Sequence, residues 1–397
     1  MSDSLHRTLR RPEILLLLMS FAVPFSFAAW SALLNNFAIE RAAFTGREIG
    51  ILQSLREIPG FLAFAVVFLL PFIREQSLAL LSLFLLGLGT ALTGFFPTTT
   101  GLYLTTMLMS LGFHYYETLQ TSLAQQWIDR ERAPEVFGRL IATGSSARIL
   151  TFCLIWLGST FLTLDYRWLY PFFGGATMLL ALAARGIFPL FPQATAQHKH
   201  MVLRRRYWLY YALTFMSGAR RQIFTVFAGF LMVERFGYSV SNIALLFLFN
   251  AGLNILFARR IGRLIGRFGE RRALVMEYSG LFLIFCGYAL VADGRLAAVL
   301  YVLDHFFFAL AISQKTYFQK IAAPEDIAST AGVAFTINHI AAVGIPVLFG
   351  LIWLKSHALV FGLGAGMALI SLGLSTLIPR HPRAGCETRL AVIVSEG

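Results

Sequence analysis

Long apolar stretches, separated by short polar breaks, constrain the fold of this chain more than any other feature. A transmembrane helix needs roughly 20 consecutive, mostly apolar residues, and twelve such stretches follow one another in the sequence. The breaks contain proline, glycine and charge, as in Phe96-Pro97 and Ala292-Asp293-Gly294. The predicted spans are 13–36, 47–72, 77–96, 100–127, 137–162, 167–190, 207–234, 239–259, 272–292, 296–320, 326–353 and 356–379.

The small number of charged residues excludes most classes of soluble protein. Only 13% of the 397 residues are charged and 57% are hydrophobic, whereas an average soluble domain has about 25% charged residues. Arg7, Arg10 and Arg11 precede the first span and resemble the start of a signal peptide, but the apolar run after them is longer than a signal sequence and further spans follow. We therefore predict an all-α membrane protein with twelve transmembrane helices.

The net charge of +13 follows the predicted membrane topology. Lys and Arg favour the cytoplasmic side of a membrane in short loops. With the N-terminus placed inside, the cytoplasmic segments hold 21 of these residues and the outer loops hold 6. This bias predicts that both termini are cytoplasmic, in a membrane of the bacterial inner-membrane type. It also explains the basic charge without a nucleic-acid partner.

An internal repeat divides the chain into two six-helix halves. Ala133-Pro134-Glu135 recurs 190 residues later as Ala323-Pro324-Glu325, each time in a predicted cytoplasmic loop. The same shift pairs polar positions within spans, namely His114 with Asp304, Gln125 with Lys315, and Arg148 with Asn338. We predict an N-terminal half at 1–190, a short basic linker at 191–206, a C-terminal half at 207–380 and a cytoplasmic tail at 381–397.

Ionisable and amide side chains within the spans mark the candidate functional residues, because such groups are costly in a membrane and usually face a cavity or a partner. Spans 3 and 12 carry no charge, and spans 6 and 9 carry one each, Arg185 and Glu277, towards the inner end. The other candidate residues lie on spans 1, 2, 4, 5, 7, 8, 10 and 11: Asn35, Asn36, Arg56, Glu57, His114, Glu117, Arg148, Arg220, Arg221, Asn250, Asn254, Asp304, His305, Lys315, Asn338 and His339.

This distribution resembles the major facilitator superfamily of secondary transporters, in which helices 3, 6, 9 and 12 lie outside the central cavity. The segment from Gly262 to Arg272 is similar to the loop of that family between helices 8 and 9, whose pattern is Gly-x-Leu-x-Asp-Arg-x-Gly-x-Arg-Arg. Gly266 replaces the Asp, which weakens a latch based on ion pairing. The resemblance implies two halves that rock about a central site, with Gly262, Arg267 and Arg271 in a gating loop.

The polar residues suggest separate roles in proton coupling, substrate binding and gating. His114 and Glu117 are three residues apart and share a helix face, so each can tune proton binding by the other. We predict that protons are carried by His114, Glu117, Asp304, His305 and His339. We predict that the substrate is bound by Arg148, Arg220, Arg221, Lys315, Asn338 and Asn250, and that Arg56 and Glu57 form a gate. Structural hydrogen bonds or ion pairs remain the alternative for each group, and snorkelling to the interface is the alternative for Lys315.

Six basic residues lie well inside the spans against four acidic ones, Glu57, Glu117, Glu277 and Asp304. Because Arg binds carboxylates and phosphates in a bidentate manner, this excess predicts a small anionic or zwitterionic substrate, with protons as the coupling ion. A lipid flippase of the same fold, or a transporter of a divalent metal or its chelate, remains an alternative. No catalytic nucleophile with a base and no metal-binding motif is present, so we expect no enzymatic activity. We expect no cofactor, and a monomer in the lipid bilayer.

Overall fold

The computed structural model describes residues 11–128, 132–192, 203–323 and 326–390. Arg7, Arg10, Pro324 and Glu325 lie outside these ranges. The twelve predicted spans each coincide with a helix: α1 Pro12–Ala42, α2 Gly46–Phe61, α3 Glu75–Thr93, α4 Thr99–Trp127, α5 Ala133–Phe161, α6 Tyr166–Ile187, α7 Trp208–Gln222, α8 Val240–Phe268, α9 Glu270–Leu290, α10 Gly294–Phe308, α11 Ile327–Trp353 and α12 His357–Thr376. The described ranges contain no β-strand.

Several of these helices meet the length and apolarity that a membrane crossing requires. The described residues contain eight such segments: Pro12–Ala42, Glu75–Thr93, Glu135–Phe161, Val240–Phe257, Glu270–Leu290, Gly294–Ile321, Val333–Trp353 and His357–Thr376. The chain is therefore an all-α, multi-pass membrane protein.

Side-chain caps start the helices that follow predicted outer loops. Thr98 accepts a hydrogen bond from Gly101 N (3.1 Å) at the start of α4, and Asp165 accepts one from Arg167 N (3.0 Å) at the start of α6. Asp293 and Ser356 cap α10 and α12 in the same way. Each cap satisfies a backbone N–H that has no partner within the helix, so the short polar breaks in the sequence set where these helices begin.

Two helices continue beyond an irregular turn. The regular part of α2 ends at Phe61, two residues after Pro59, and a 3₁₀ turn at Ala63–Ala65 leads into a further helix, Val66–Leu69. Proline removes a backbone donor and crowds the preceding turn, which explains the interruption. In α10, Ala309–Ala311 forms a similar turn before Ile312–Ile321.

Helix α7 continues beyond Gln222 through a widened turn of the π type. Residues Ile223–Ala228 form this π-helical segment, and the α-helix resumes at Gly229–Glu234. The segment begins two residues after Arg221. Single π turns within α-helices are rare and occur mainly at functional sites.

The contacts between helices divide the chain into two compact units, which we describe separately. Unit 1 comprises Met1–Phe44, Leu55–Ala196 and Tyr238–Ala251, and unit 2 comprises Thr45–Ser54, Gln197–Gly237 and Gly252–Gly397. The start of α2 thus groups with unit 2, and the first half of α8 groups with unit 1. The halves predicted from the repeat, 1–190 and 207–380, instead place the start of α2 in the first half and all of α8 in the second.

Glycines allow the helices of unit 1 to pack with their backbones in contact. Helix α3 lies against α4 and α6. A Cβ atom added at Gly174 on α6 would lie 2.4 Å from Ala91 N and 2.4 Å from Gly87 O on α3. Small residues at such contacts permit the close approach from which membrane helices gain packing energy.

In unit 2, the segment after α12 folds back onto the helices. The Tyr317 hydroxyl donates a hydrogen bond to the carbonyl of Glu387 (2.7 Å), and Arg389 N donates to the carbonyl of Leu377 (2.8 Å). Ile378 is fully buried. We refer to residues 377–390 as the C-terminal strap; it includes the beginning of the predicted tail, while 391–397 lie outside the described residues.

An ion-pair cluster joins the start of α7 to the start of α11 within unit 2. Asp326 accepts hydrogen bonds from Arg206 (2.5 Å), Arg204 (3.2 Å) and the Tyr207 hydroxyl (2.9 Å). The hydrogen bond from Arg206 is the main cause that holds the pKa of Asp326 below its usual value. The cluster ties the basic linker predicted at 191–206 to the helix that follows the second Ala-Pro-Glu repeat.

We expect Asp326→Asn to lower the unfolding temperature of the detergent-solubilised protein by a few degrees at pH 7. The carboxylate has a lowered pKa in the folded protein, so its stabilising effect is complete above the unfolded value of about 3.9 and is lost as the pH falls through the folded value. Thermal unfolding should therefore give a constant difference between wild type and variant from about pH 5 to 8, shrinking below about pH 4. Arg206→Gln should reproduce the loss at pH 7, whereas Arg205→Gln should not; equal effects of both would contradict the role of the cluster.

Candidate functional site

Helices α2 and α4 bring four of the predicted residues together in unit 1. Arg56 and Glu57 form an ion pair with each other. On α4, His114 Nδ1 lies 4.0 Å from a Glu117 carboxylate oxygen. A ring nitrogen of His114 and a carboxylate oxygen of Glu57 lie within 4.8 Å of one another. The two residues predicted to form a gate thus belong to one cluster with two of the five residues predicted to carry protons, His114 and Glu117.

The side chains of this cluster range from half-exposed to buried. The side chain of Glu117 is 49% exposed, that of His114 is 7% exposed and that of Glu57 is 4% exposed. The Ser110 hydroxyl donates a hydrogen bond to the carbonyl of Arg56, which fixes α2 to α4 at this level. An exposed carboxylate, a buried imidazole and a buried carboxylate in sequence form an arrangement that can pass a proton inwards.

Arg148 and Asn250 lie close to a contact between α5 and α8 in unit 1. The rings of Phe152 on α5 and Phe247 on α8 are 5.4 Å apart. Arg148 lies one turn before Phe152 on the same face of its helix. Asn250 lies one turn after Phe247, and α5 and α8 run in opposite directions in the predicted topology. Arg148 and Asn250 therefore both lie on the predicted cytoplasmic side of the contact between Phe152 and Phe247.

The charge of Arg148 is not neutralised locally. Its side chain is exposed, and no carboxylate of the described residues lies within 4.0 Å of its guanidinium. Asn250 is buried, and its amide nitrogen has no hydrogen-bond partner in the described part of the chain. An exposed cation beside an unsatisfied amide donor is a combination that suits an anionic group.

In unit 2, three charged side chains from three helices meet in the interior. Arg220 on α7 is 1% exposed, and both Glu277 on α9 and Asp304 on α10 are 0% exposed. An Arg220 guanidinium nitrogen lies 3.9 Å from a Glu277 carboxylate oxygen. The guanidinium also stacks 4.3 Å from the ring centroid of Tyr278. We refer to Arg220, Glu277 and Asp304 as the buried triad.

The polar atoms of the buried triad are poorly satisfied. Among the described residues, no hydrogen-bond partner is found for the terminal nitrogens of Arg220 or for any carboxylate oxygen of Glu277 and Asp304. Asp304 interacts electrostatically with both of the other members. If both carboxylates were ionised, an uncompensated negative charge would be buried, which is costly. A proton bound to one of them would balance the charge of the triad.

Glu277 was not among the predicted site residues. The sequence places it on span 9, a helix that the family resemblance assigns to the outside of the cavity. Two features of the sequence could have identified it. Glu277 is the only charged residue well inside span 9, and Arg220 needs a counter-ion.

The remaining predicted residues of unit 2 lie on α7, α10 and α11. Arg221 donates a hydrogen bond to the side-chain oxygen of Asn338 (2.9 Å), so two predicted substrate-binding residues are in direct contact. His305 and His339 each bond through Nδ1 to a carbonyl of the preceding turn, at 2.9 Å. Lys315 is exposed. Adjacent helical residues point about 100° apart, which explains why Arg220 and Arg221 have different partners.

The predicted gating loop forms a tight corner between α8 and α9. Gly269 has φ +80°, a left-handed conformation that glycine adopts readily, and it alone separates the two helices. Gly262 is exposed on α8. Arg267 and Arg271 line a cavity of about 1040 Å³ beside this corner.

Comparisons with known proteins agree with this architecture. The sequence profile of the Major Facilitator Superfamily matches residues 13–346, and no curated protein is a significant match by sequence. The structure is similar to a mutant form of the nucleoside transporter NupG, with a TM-score of 0.76, 16% identity, and coverage of 92% of this chain and 99% of that chain. A bacterial homologue of the human lysosomal transporter Spinster, in an inward-facing and occupied conformation, gives 0.73 at 13% identity, covering 91% and 95%. The peptide transporter POT in complex with sulfate gives 0.70 at 14% identity, covering 93% and 94%. At these identities the likeness shows the fold.

Proposed function

This chain belongs to the Major Facilitator Superfamily, and we propose that it is a proton-coupled transporter of a small anionic or zwitterionic molecule. Membership establishes a multi-pass membrane transporter that works by alternating access, not an enzyme. The proposal adds the class of substrate, the coupling ion, a bacterial-type inner membrane as the location and a monomer as the working unit.

The observation that supports an anionic group on the substrate is the uncompensated charge of Arg148. An arginine within a predicted span keeps its charge at every physiological pH. It lies on the face of α5 that carries Phe152 and therefore points towards α8. In the absence of a described carboxylate within 4.0 Å, a carboxylate or phosphate of the substrate is the natural partner, bound in a bidentate manner.

Arg221 and Asn338 add a second polar pair in unit 2. The Asn338 side-chain oxygen accepts this bond from Arg221 at 2.9 Å, and the same amide also carries an N–H₂ donor. The relatives named above include transporters of nucleosides and peptides. Since peptides are zwitterions and nucleosides are uncharged, the cationic Arg221 in this pair favours the former type of chemistry.

Two groups of titratable side chains support proton coupling. In unit 1 they are Glu57, His114 and Glu117; in unit 2 they are Glu277 and Asp304. The groups that surround Asp304 are Arg220 on α7, Glu277 and Tyr288 on α9, and Tyr301 on its own helix. A proton that crosses the membrane supplies about 2.3 kcal/mol per 100 mV, which such a site can couple to uphill transport. Arg220, predicted from the sequence to bind substrate, is buried beside Glu277, so in this proposal it balances the proton site, while Arg148 and Arg221 contact the substrate.

The test is binding by thermal unfolding, followed by uptake into proteoliposomes with an imposed pH gradient. Ligands that bind the folded state raise the unfolding temperature. We expect a member of a panel of dipeptides, amino acids and organic phosphates to stabilise the wild type, and Arg148→Gln to weaken its binding by about tenfold or more. Arg139→Gln removes the same charge from an exposed position on the same helix and should leave binding unchanged.

Other outcomes would identify the alternatives. Stabilisation by divalent metals alone, unaffected by Arg148→Gln, would contradict the anionic substrate and favour a metal transporter. Movement of labelled phospholipid between leaflets, without uptake of soluble ligands, would favour a flippase. Uptake that is indifferent to the pH gradient would contradict proton coupling while leaving the substrate class intact.

A further inference from the structure

A basic cavity lies beside the corner between α8 and α9 in unit 2. Its volume is about 1040 Å³. Five cationic side chains line it against one carboxylate, that of Glu270, and Glu270 already binds Lys320 at 2.7 Å. The remaining cations are Arg267, Arg271, Arg272 and Arg380. The cavity therefore holds a large uncompensated positive charge.

The C-terminal strap fixes one of these arginines in place. The Tyr317 hydroxyl anchors the strap to the helices through the carbonyl of Glu387, and the bond from Arg389 N to the carbonyl of Leu377 joins the two ends of the strap. Arg380 lies within the strap, and Arg271 experiences the charges of both Arg380 and Arg389. Like charges repel, so this arrangement holds cations together at an electrostatic cost. A scaffold that holds them together is the arrangement expected of a site for an anion of high charge density.

The other walls of the cavity indicate the kind of anion. Phe268, Val275 and Met276 also line it, and both Phe268 and Met276 are exposed. Val275 and Met276 lie in the second turn of α9, near the end at which this helix is predicted to enter the membrane. Arginines beside exposed apolar side chains at this depth match the phosphate and the first acyl carbons of a phospholipid.

We propose that this cavity binds a phosphate oxyanion, carried by the headgroup of an anionic phospholipid of the cytoplasmic leaflet. Arg267, Arg271, Arg272 and Arg380 donate to the phosphate oxygens. The backbone N–H groups of the first turn of α9 also face this end, where no side chain caps the helix. The Asp expected in this loop by family resemblance is Gly266 here, so no carboxylate competes for these arginines from that position. The site does not depend on the identity of the transported substrate.

The experiment measures lipid binding to the purified full-length protein by thermal unfolding and native mass spectrometry. The probes are short-chain phosphatidylglycerol, phosphatidylcholine of the same chain length, and inorganic phosphate. We expect phosphatidylglycerol to raise the unfolding temperature and to remain bound in the mass spectrum, and phosphatidylcholine to do neither. The double variant Arg271→Gln/Arg380→Gln should bind phosphatidylglycerol at least about tenfold more weakly.

The control variant must also lose two positive charges, but at positions outside the cavity. Arg295→Gln/Lys355→Gln removes two exposed cations from the predicted outer loops and should bind phosphatidylglycerol as the wild type does. If inorganic phosphate competes at millimolar concentration and depends on the same arginines, the oxyanion site stands and its source is a soluble phosphate. If neither probe binds, or if both double variants lose binding equally, the proposal is wrong.

Discussion

Arg220→Met should cost about 3–5 kcal/mol of folding stability, because it leaves two carboxylates in the protein interior without a cation. Glu277 and Asp304 are fully buried, so water offers them no compensation. The loss should be smaller at pH 5 than at pH 8, since bound protons neutralise the orphaned carboxylates. Uptake driven by a pH gradient should disappear at both pH values. Thermal or denaturant unfolding of the purified variant, together with proteoliposome uptake, measures the two effects.

A second substitution separates charge balance from simple damage to the core. Arg220→Met/Glu277→Gln removes both partners of the 3.9 Å pair and should recover most of the stability, because neutral groups replace a buried ion pair at little cost. It should not recover proton-driven uptake. Arg221→Met loses the same charge one residue later and should retain near-normal stability with weakened substrate binding. If Arg220→Met is as stable as the wild type and still couples uptake to protons, the role assigned to the buried triad is wrong.

Gly174→Ala should destabilise unit 1 by roughly 3 kcal/mol, although it adds a single methyl group. The added Cβ would lie 2.4 Å from both Ala91 N and Gly87 O, and backbone atoms of a helix do not move aside as a flexible side chain does. Helices α3 and α6 must separate along their whole contact to accommodate it. The measurement is the unfolding temperature in detergent and the yield of folded protein from membranes.

The adjacent glycine provides a matched control. A Cβ added at Gly175 would meet nothing within 4 Å. Gly175→Ala should therefore be neutral or stabilising by up to about 1 kcal/mol, the gain in helix propensity of alanine over glycine. Similar losses of stability for Gly174→Ala and Gly175→Ala would contradict this prediction. They would show that the glycines are needed for the flexibility of α6 and not for its close packing against α3.

The helices could be predicted from the sequence because each depends on local properties. Apolar length and polar breaks located the helices, eight segments of which are long and apolar enough to cross a membrane in the described residues. The widened turn in α7 was not predictable, since Ile223–Ala228 contains neither proline nor glycine. It is packed against another helix, with Trp353 of α11 stacked 5.3 Å from Phe227, and such packing is not encoded by periodicity.

The candidate residues could be found from their cost in a membrane, but their partners could not. The sequence left Arg56 and Glu57 as either a gate across the cavity mouth or a static ion pair, and the structure shows them paired with each other. Glu277 was assigned to a helix outside the cavity, yet it meets Arg220 in the interior of unit 2. Which side chains pair between distant helices depends on which helix faces pack together, and this is a property of the tertiary structure.

The widened turn in α7 acts as one additional residue in an otherwise regular helix. Because an α-helix turns about 100° for each residue, every side chain after Ile223–Ala228 is rotated by that angle from its position in an uninterrupted helix. An alignment with a relative whose seventh helix is regular throughout therefore needs a one-residue gap at this point. If the gap is placed before Arg220 instead, Arg221 is equated with the counterpart of Arg220. An evolutionary comparison would then assign the contacts of the buried arginine to its neighbour.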